Sequence, residues 1–179
     1  MQNSINRKAE KIKLFISDVD GVLTDGKIIL GNNGEEFKSF HARDGMGITR
    51  ALERGLQIAL ITGRSSEIVK TRASELGIEE VYQGIKDKIA ILQKLKNKYQ
   101  IDYPEIAYIG DDLNDLPVLK LVGFSISVAD AVKEVKSSVD YITDKKGGKG
   151  AVREALEFII SASDNGNKAG GDMVDWQRG

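Results

Sequence analysis

Four short apolar runs, Ile12–Ser17, Ile58–Thr62, Ile106–Gly110 and Gly123–Val128, alternate with amphipathic stretches of helical length. That alternation restricts the chain to an α/β fold, a Rossmann-like parallel sheet whose strands are joined by crossover helices. The runs carry few polar residues, as strands covered on both faces require. Between them Gly45–Arg54, Ser65–Leu76, Asp87–Tyr99 and Leu113–Val122 space apolar residues as helices do, and Gly77 follows the second as a C-cap. At 179 residues the chain makes one domain with enough core to need no covalent staple.

One segment interrupts the rhythm. Gly26–Phe40 reads as strands Lys27–Leu30 and Glu35–Phe40 joined by Gly31-Asn32-Asn33-Gly34, residues that tolerate a tight turn. It is a β-hairpin inserted after strand one, serving as a surface ornament, a flap over a site at that strand's end, or an oligomer contact. A last helix, Gly150–Ser161, closes the domain of residues 1–161. Residues 162–179 turn rich in Ser, Asn, Gly and Asp and are expected to be a disordered tail.

Composition removes whole classes of function. No cysteine and a single histidine, His41, leave no thiol nucleophile, thiolate site or multi-histidine zinc site. Lys and Arg total 26 against 27 Asp and Glu, without the basic surplus of a nucleic-acid binder. No uncharged run is long enough to span a bilayer and no leader pattern opens the chain, so a soluble cytoplasmic protein with no membrane partner is expected.

Ligands of open α/β sheets bind beyond the carboxyl ends of the strands, and here those ends are reactive. Strand one runs into Asp18-Val19-Asp20-Gly21-Val22-Leu23-Thr24-Asp25, a second strand into Thr62-Gly63-Arg64, and a later one into Gly110-Asp111-Asp112 with Asp115 beyond. Each piece alone can be turn or cap chemistry. Together they gather carboxylates at one sheet edge, where like charges repel unless a divalent cation joins them. With oxygen donors only, Mg²⁺ is the natural choice. A carboxylate there can attack phosphorus to give an aspartyl-phosphate, with Thr62 donating to a phosphoryl oxygen and a lysine neutralising its charge. Asp20 could protonate the leaving alcohol and later activate water.

Asp18–Asp25, Ile61-Thr62-Gly63-Arg64, Lys88 and Gly110–Asp115 resemble the four ordered motifs of the haloacid dehalogenase superfamily. Phe40–Ile48, Tyr82-Gln83-Gly84 and Gly147–Arg153 resemble, more narrowly, its capless 3-deoxy-D-manno-octulosonate (Kdo) 8-phosphate phosphatases. The resemblance implies hydrolysis of Kdo 8-phosphate on the route to lipopolysaccharide, with Asp18 as nucleophile and metal ligand. It implies Asp20 as acid/base with a metal-binding carbonyl, Asp111 as the remaining ligand, and Thr62 with Lys88 on the phosphate. Asp112 and Asp115 would orient metal-bound water or Lys88. His41, Ala42, Arg43, Asp44, Gly45, Gly63, Arg64, Arg72 and Lys88, with Asp20, would surround the sugar acid or its phosphate, Arg suiting carboxylate recognition by its two parallel donors. Many members carry a basic residue directly after the Gly-Ile of this helix, where Thr49 stands here and Arg50 follows. A homotetramer is implied, with neighbours helping to cover each site.

Other readings are a phosphatase for a nine-carbon keto-acid 9-phosphate, a phospho-receiver domain, and a non-catalytic assembly subunit. The receiver reading is disfavoured by order, since the Asp-X-Asp pair opens the chain and Lys88 precedes the acidic cluster.

Overall fold

The computed structural model describes residues 2–171. In chain order the elements are α1 (Gln2–Ala9), β1 (Leu14–Ser17), β2 (Ile29–Leu30), β3 (Glu36–Phe37), α2 (Ala42–Glu53), β4 (Gln57–Ile61), α3 (Glu67–Glu75) and β5 (Glu80–Tyr82). They continue with α4 (Lys88–Tyr99), β6 (Ile106–Gly110), α5 (Leu116–Leu119), β7 (Phe124–Ser127), α6 (Lys133–Lys136), β8 (Tyr141–Ile142) and α7 (Ala151–Gly171). Six strands form one sheet in the order β5-β4-β1-β6-β7-β8, every neighbour parallel. β1, β6 and β7 are buried along their whole length and β4 along all but its first residue, which is why these runs lack polar alternation. Helix α7 packs on α2 and α1, and α4 packs on α5.

The chain leaves β1 toward β4 and β5, then returns to β6 on the other flank of β1 and continues to β7 and β8. This reversal between β1 and β6 is the switch point of a doubly wound sheet, where a crevice opens beyond the carboxyl ends. Leu14–Ser17 register with Gln57–Leu60 on one side and Ile106–Ile109 on the other, so the loops after all three strands start at one level.

The hairpin exists but is smaller than the sequence suggests: Ile29 pairs with Phe37 and Leu30 with Glu36, and the Gly31 amide donates to the Glu35 carbonyl at 2.7 Å to close the turn. Strands β5 and β8, and helices α1 and α6, carry no sequence signal strong enough to anticipate them. β5 contains Glu80, a buried carboxylate satisfied by Lys98, the Tyr82 hydroxyl at 2.6 Å and the Tyr99 hydroxyl at 3.2 Å. The helix read over Leu113–Val122 is instead a 3₁₀ turn, Leu113–Asp115, followed by the short α5. Asp115 folds its carboxylate back onto preceding amides, and Pro117 brings no N–H to the next turn. Helix α7 continues past Ser161 to Gly171, and residues 172–179 of the expected tail lie outside the described residues. No helix among the described residues is long and apolar enough to cross a membrane.

Candidate active site

The first loop is set by an extension of the sheet. The Asp18 amide donates to the Ile109 carbonyl at 3.1 Å, carrying the β1–β6 ladder one residue past β1 and bringing Asp18 alongside Gly110-Asp111. Gly21 then turns the chain at φ +93°, where a side chain would meet Asp111 Oδ2 at 2.0 Å, so only glycine lets this loop close on Asp111. Gly147 presses on the same loop from outside: a methyl there would stand 1.8 Å from the Gly21 carbonyl oxygen, and the Gly148 amide donates to the Val22 carbonyl at 2.9 Å. The glycine pair ahead of α7 thus clamps the loop that carries Asp20.

Lys88 is the hub of the buried side. Asp87 caps α4 by accepting from the amides of Ile89 and Ala90, which places Lys88 at the first helical position with its side chain directed inward. Its ammonium lies 2.9 Å from Asp18 Oδ2, 2.7 Å from Asp115 Oδ1 and 3.1 Å from the Tyr108 hydroxyl, which occupies all three of its hydrogens. Burial opposes the charge, but Asp18 and Asp115 outweigh it and raise the Lys88 pKa above the ordinary lysine value. Asp115 is fully saturated as well: Lys88 and Tyr108 (2.6 Å) take Oδ1, and the amides of Asp111 (3.0 Å) and Asp112 take Oδ2. Among the described residues it therefore acts as a buried anchor for Lys88. Asp112 is exposed, and its carboxylate caps the Leu113 amide at 2.7 Å.

Asp18, Asp111 and Asp115 each offer an oxygen within 4.8 Å of the others. These carboxylates face a single buried ammonium, leaving two negative charges uncompensated. Burial, then the neighbouring Asp115, push Asp18 up to about 6; burial, then Asp18 and Asp115, push Asp111 up to about 7. Asp111 Oδ1 is buried without a hydrogen-bond partner. An all-oxygen donor set with an excess of two negative charges and an unpartnered oxygen fits Mg²⁺. Asp18 and Asp111 would hold it, since Asp115 has no oxygen to spare, and the bound ion supplies Lewis-acid polarisation of a phosphoryl oxygen.

The rim is built differently. Asp20 Oδ1 accepts from Lys38, and Arg64 Nε stands 3.9 Å from Asp20 Oδ2. Glu36 links the two cations, 3.5 Å from Lys38 Nζ and 3.0 Å from Arg64 Nη2. Glu36 and Lys38 come from the hairpin and escape the sequence reading, because a charged pair on a hairpin strand looks like solvated surface. Thr62 is buried and pinned through its backbone, its amide donating to the Tyr82 carbonyl at 2.9 Å and its carbonyl accepting from Ile85 at 3.1 Å. Gln83 takes the Ser66 amide at 2.7 Å and Gly84 donates to the Arg64 carbonyl, so Tyr82-Gln83-Gly84 is the brace that shapes the Thr62-Gly63-Arg64 loop.

The segment His41–Gly45, read from sequence as one substrate-facing set, divides. Asp44 is 1% exposed, and its carboxylate accepts from the Gly150 amide at 3.2 Å and the Arg153 amide at 2.8 Å, tying α2 to the start of α7. Gly45 is covered by the Arg72 guanidinium, which also bonds Glu75 at 3.0 Å. Ala42 and Arg43 are exposed, and His41 is half-buried with an unpartnered Nδ1. Asp44 and Gly45 are thus buried where α2 meets α7 and α3. Thr49 bonds back to the Gly45 carbonyl within its helix, and Arg50 faces Glu157 of α7 at 3.7 Å, so Arg50 does not stand in for the missing basic residue.

A doubly wound sheet with Asp-X-Asp after its central strand, a threonine after the next, a buried lysine and a second acidic loop across the switch point defines a haloacid dehalogenase-like hydrolase. Residues 77–156 match that family directly. Over 167 residues, 93% of this chain and 89% of the relative, it is 46% identical to the 3-deoxy-D-manno-octulosonate 8-phosphate phosphatase KdsC of Escherichia coli K12. The crystal structure of the Moraxella catarrhalis enzyme, in complex with magnesium, phosphate and Kdo, superposes with a TM-score of 0.90 at 46% identity, covering 94% of this chain and 97% of that one. The cobalt-bound Haemophilus influenzae phosphatase gives 0.85 at 42% identity, over 92% and 95%. The chain belongs to the Kdo 8-phosphate phosphatase family.

Proposed function

We propose that this protein hydrolyses Kdo 8-phosphate to Kdo and phosphate, using Mg²⁺. The observation that carries the reading is the pairing of Asp18 with Lys88 and Asp111 at the switch point, within a chain similar along nearly its whole length to enzymes of that name. An Asp18 oxygen attacks phosphorus while the ester P–O bond breaks, and Asp20 delivers its proton to the departing ester oxygen, which leaves as the sugar hydroxyl. The aspartyl-phosphate is then hydrolysed by water, which gives a proton back to Asp20, and Asp18 is regenerated. Thr62 and Lys88 hold the phosphoryl oxygens, with Lys88 trading its Tyr108 contact for one of them. Arg64 at the rim is the residue best placed to meet the carboxylate of a sugar acid.

The family reading also carries a cytoplasmic location and a homotetramer. In support of assembly, the hairpin shows Ile28, Leu30 and Phe37 at 55%, 67% and 56% exposure, an apolar surface suited to a second copy of the chain. Sedimentation of a fully active monomer would overturn that part. The substrate is tested by phosphate release from Kdo 8-phosphate, a nine-carbon keto-acid 9-phosphate and hexose phosphates, with Mg²⁺ present. Kdo 8-phosphate should give the highest kcat/KM, and a hexose phosphate or nine-carbon ester equalling it would refute the assignment while leaving a phosphatase.

A further inference from the structure

The hairpin ends in a lysine that behaves unlike a surface residue. Phe37 beside it is exposed, yet the Lys38 side chain is 1% exposed and turned inward onto Asp20. We propose that Lys38 is a positioning residue for the reaction, fixing the Asp20 carboxyl where it can pass a proton to the substrate's ester oxygen. The inference rests on Asp20 as the acid/base.

Three observations carry it. First, Asp20 meets a cation on each oxygen, Lys38 at Oδ1 and Arg64 near Oδ2, and these come from separate loops. The Lys38 hydrogen bond fixes one oxygen and the Arg64 charge, 3.9 Å away, faces the other, which restrains the carboxyl's rotation. Second, Glu36 joins the two cations, so the loop after β4 and the hairpin lock each other. Third, burying a lysine costs desolvation and side-chain entropy. If Lys38 served only to fasten the hairpin, an apolar side chain of similar volume would fasten it as well or better. A lysine at this buried place, aimed at Asp20, is accounted for by what it does to Asp20.

In the reaction the ammonium exchanges no proton. Asp20 releases its proton to the ester oxygen as the P–O bond breaks, and later receives one from the attacking water. Lys38 keeps its three hydrogens throughout and determines where the carboxyl stands at both moments.

The test compares esters that differ in their need for an acid, using the full chain with Mg²⁺ and reading kcat/KM, which reports phosphoryl transfer to Asp18. The Kdo of Kdo 8-phosphate leaves as an alkoxide unless its ester oxygen is protonated, whereas the p-nitrophenolate of p-nitrophenyl phosphate leaves without help. Lys38→Met should lower kcat/KM about 10²-fold on the first and under about threefold on the second, within the range of a general acid's contribution. Lys38→Arg should restore most of the loss. Lys38→Met combined with Asp20→Asn should be within about threefold of Asp20→Asn alone, because a residue acting through Asp20 has nothing left to position. Lys38→Gln takes the same place if the methionine variant fails to fold. Equal losses on both esters, or losses that multiply in the double variant, would overturn the inference and make Lys38 structural or a direct substrate contact. If Asp20→Asn is selective for the sugar ester and Lys38→Met is not, this inference alone fails; if Asp20→Asn is not selective either, the acid/base reading fails with it.

Discussion

The inner cluster and the rim of this site are both made of carboxylates and cations, but their charge is balanced differently. Inside, Asp18, Asp111 and Asp115 face only Lys88, and two carboxyls are pushed far above their usual range. At the rim, Asp20 and Glu36 face Lys38 and Arg64, so the ion pairs close on themselves. The inner cluster is incomplete without a cation, whereas the rim is complete without a ligand. An unbalanced buried cluster is a binding device, since the repulsion it stores is released when a dication arrives. A balanced one is a positioning device, since every group already has a partner that fixes its orientation.

The contrast can be broken at its centre. Asp18→Asn keeps the shape and the Lys88 neighbour but cannot form the phosphoenzyme, so turnover should fall by on the order of 10⁵-fold or more while circular dichroism stays native. Near-normal hydrolysis by the folded variant would dissolve the distinction, because the inner cluster would then not hold the nucleophile.

The next effect separates the regions by their response to metal. Chelation should abolish turnover and Mg²⁺ restore it, and Asp111→Ala should weaken Mg²⁺ binding by about 10²-fold, read both by activity and by loss of the Mg²⁺-dependent rise in Tm. Without metal, Asp111→Asn should be more stable than the native chain by about 1 kcal/mol, because it removes charge from the unbalanced side. Glu36→Gln, taken from the balanced rim, should bring no such gain in thermal melts.

The rim is tested through selectivity. Arg64→Ala should lower kcat/KM for Kdo 8-phosphate about tenfold more than for p-nitrophenyl phosphate, as expected for one lost charged hydrogen bond. Arg72→Ala, removing a guanidinium that covers Gly45 of α2 and does not face Asp20, should narrow the gap less in side-by-side kinetics. Equal effects would mean the rim does not select.

The smallest change tests the scaffold of the inner cluster. Tyr108→Phe removes one partner of Lys88 and one of Asp115, each of which keeps others, so it should cost about 1 kcal/mol in denaturant unfolding and only a few-fold in kcat. A loss as large as that of Asp18→Asn would place Tyr108 in the chemistry itself.

Much of this was legible from the chain alone. Short apolar runs without alternation read as strands buried on both faces, and carboxylates directly after such strands gather at one edge, so the sheet and the need for a cation follow from local pattern and charge, whereas the separate roles of Asp18 and Asp111 came with the family resemblance. Lys88 was legible only through the order of the motifs, because nothing local distinguishes a lysine at a helix start from a solvated one. What lay beyond the sequence are contacts between segments far apart in it. The hydrogen bonds of the Asp44 carboxylate to the start of α7 are such contacts, and so is the one from Lys38 to Asp20, since a hairpin read as ornament, flap or oligomer contact names no partner for its charges. Local pattern sets which backbone a segment adopts, through hydrophobic burial and backbone hydrogen bonding that depend on near neighbours. Whether a charge is spent on solvent, on a helix end or on a catalytic carboxyl depends on which distant segment is packed against it, and only the folded chain decides that.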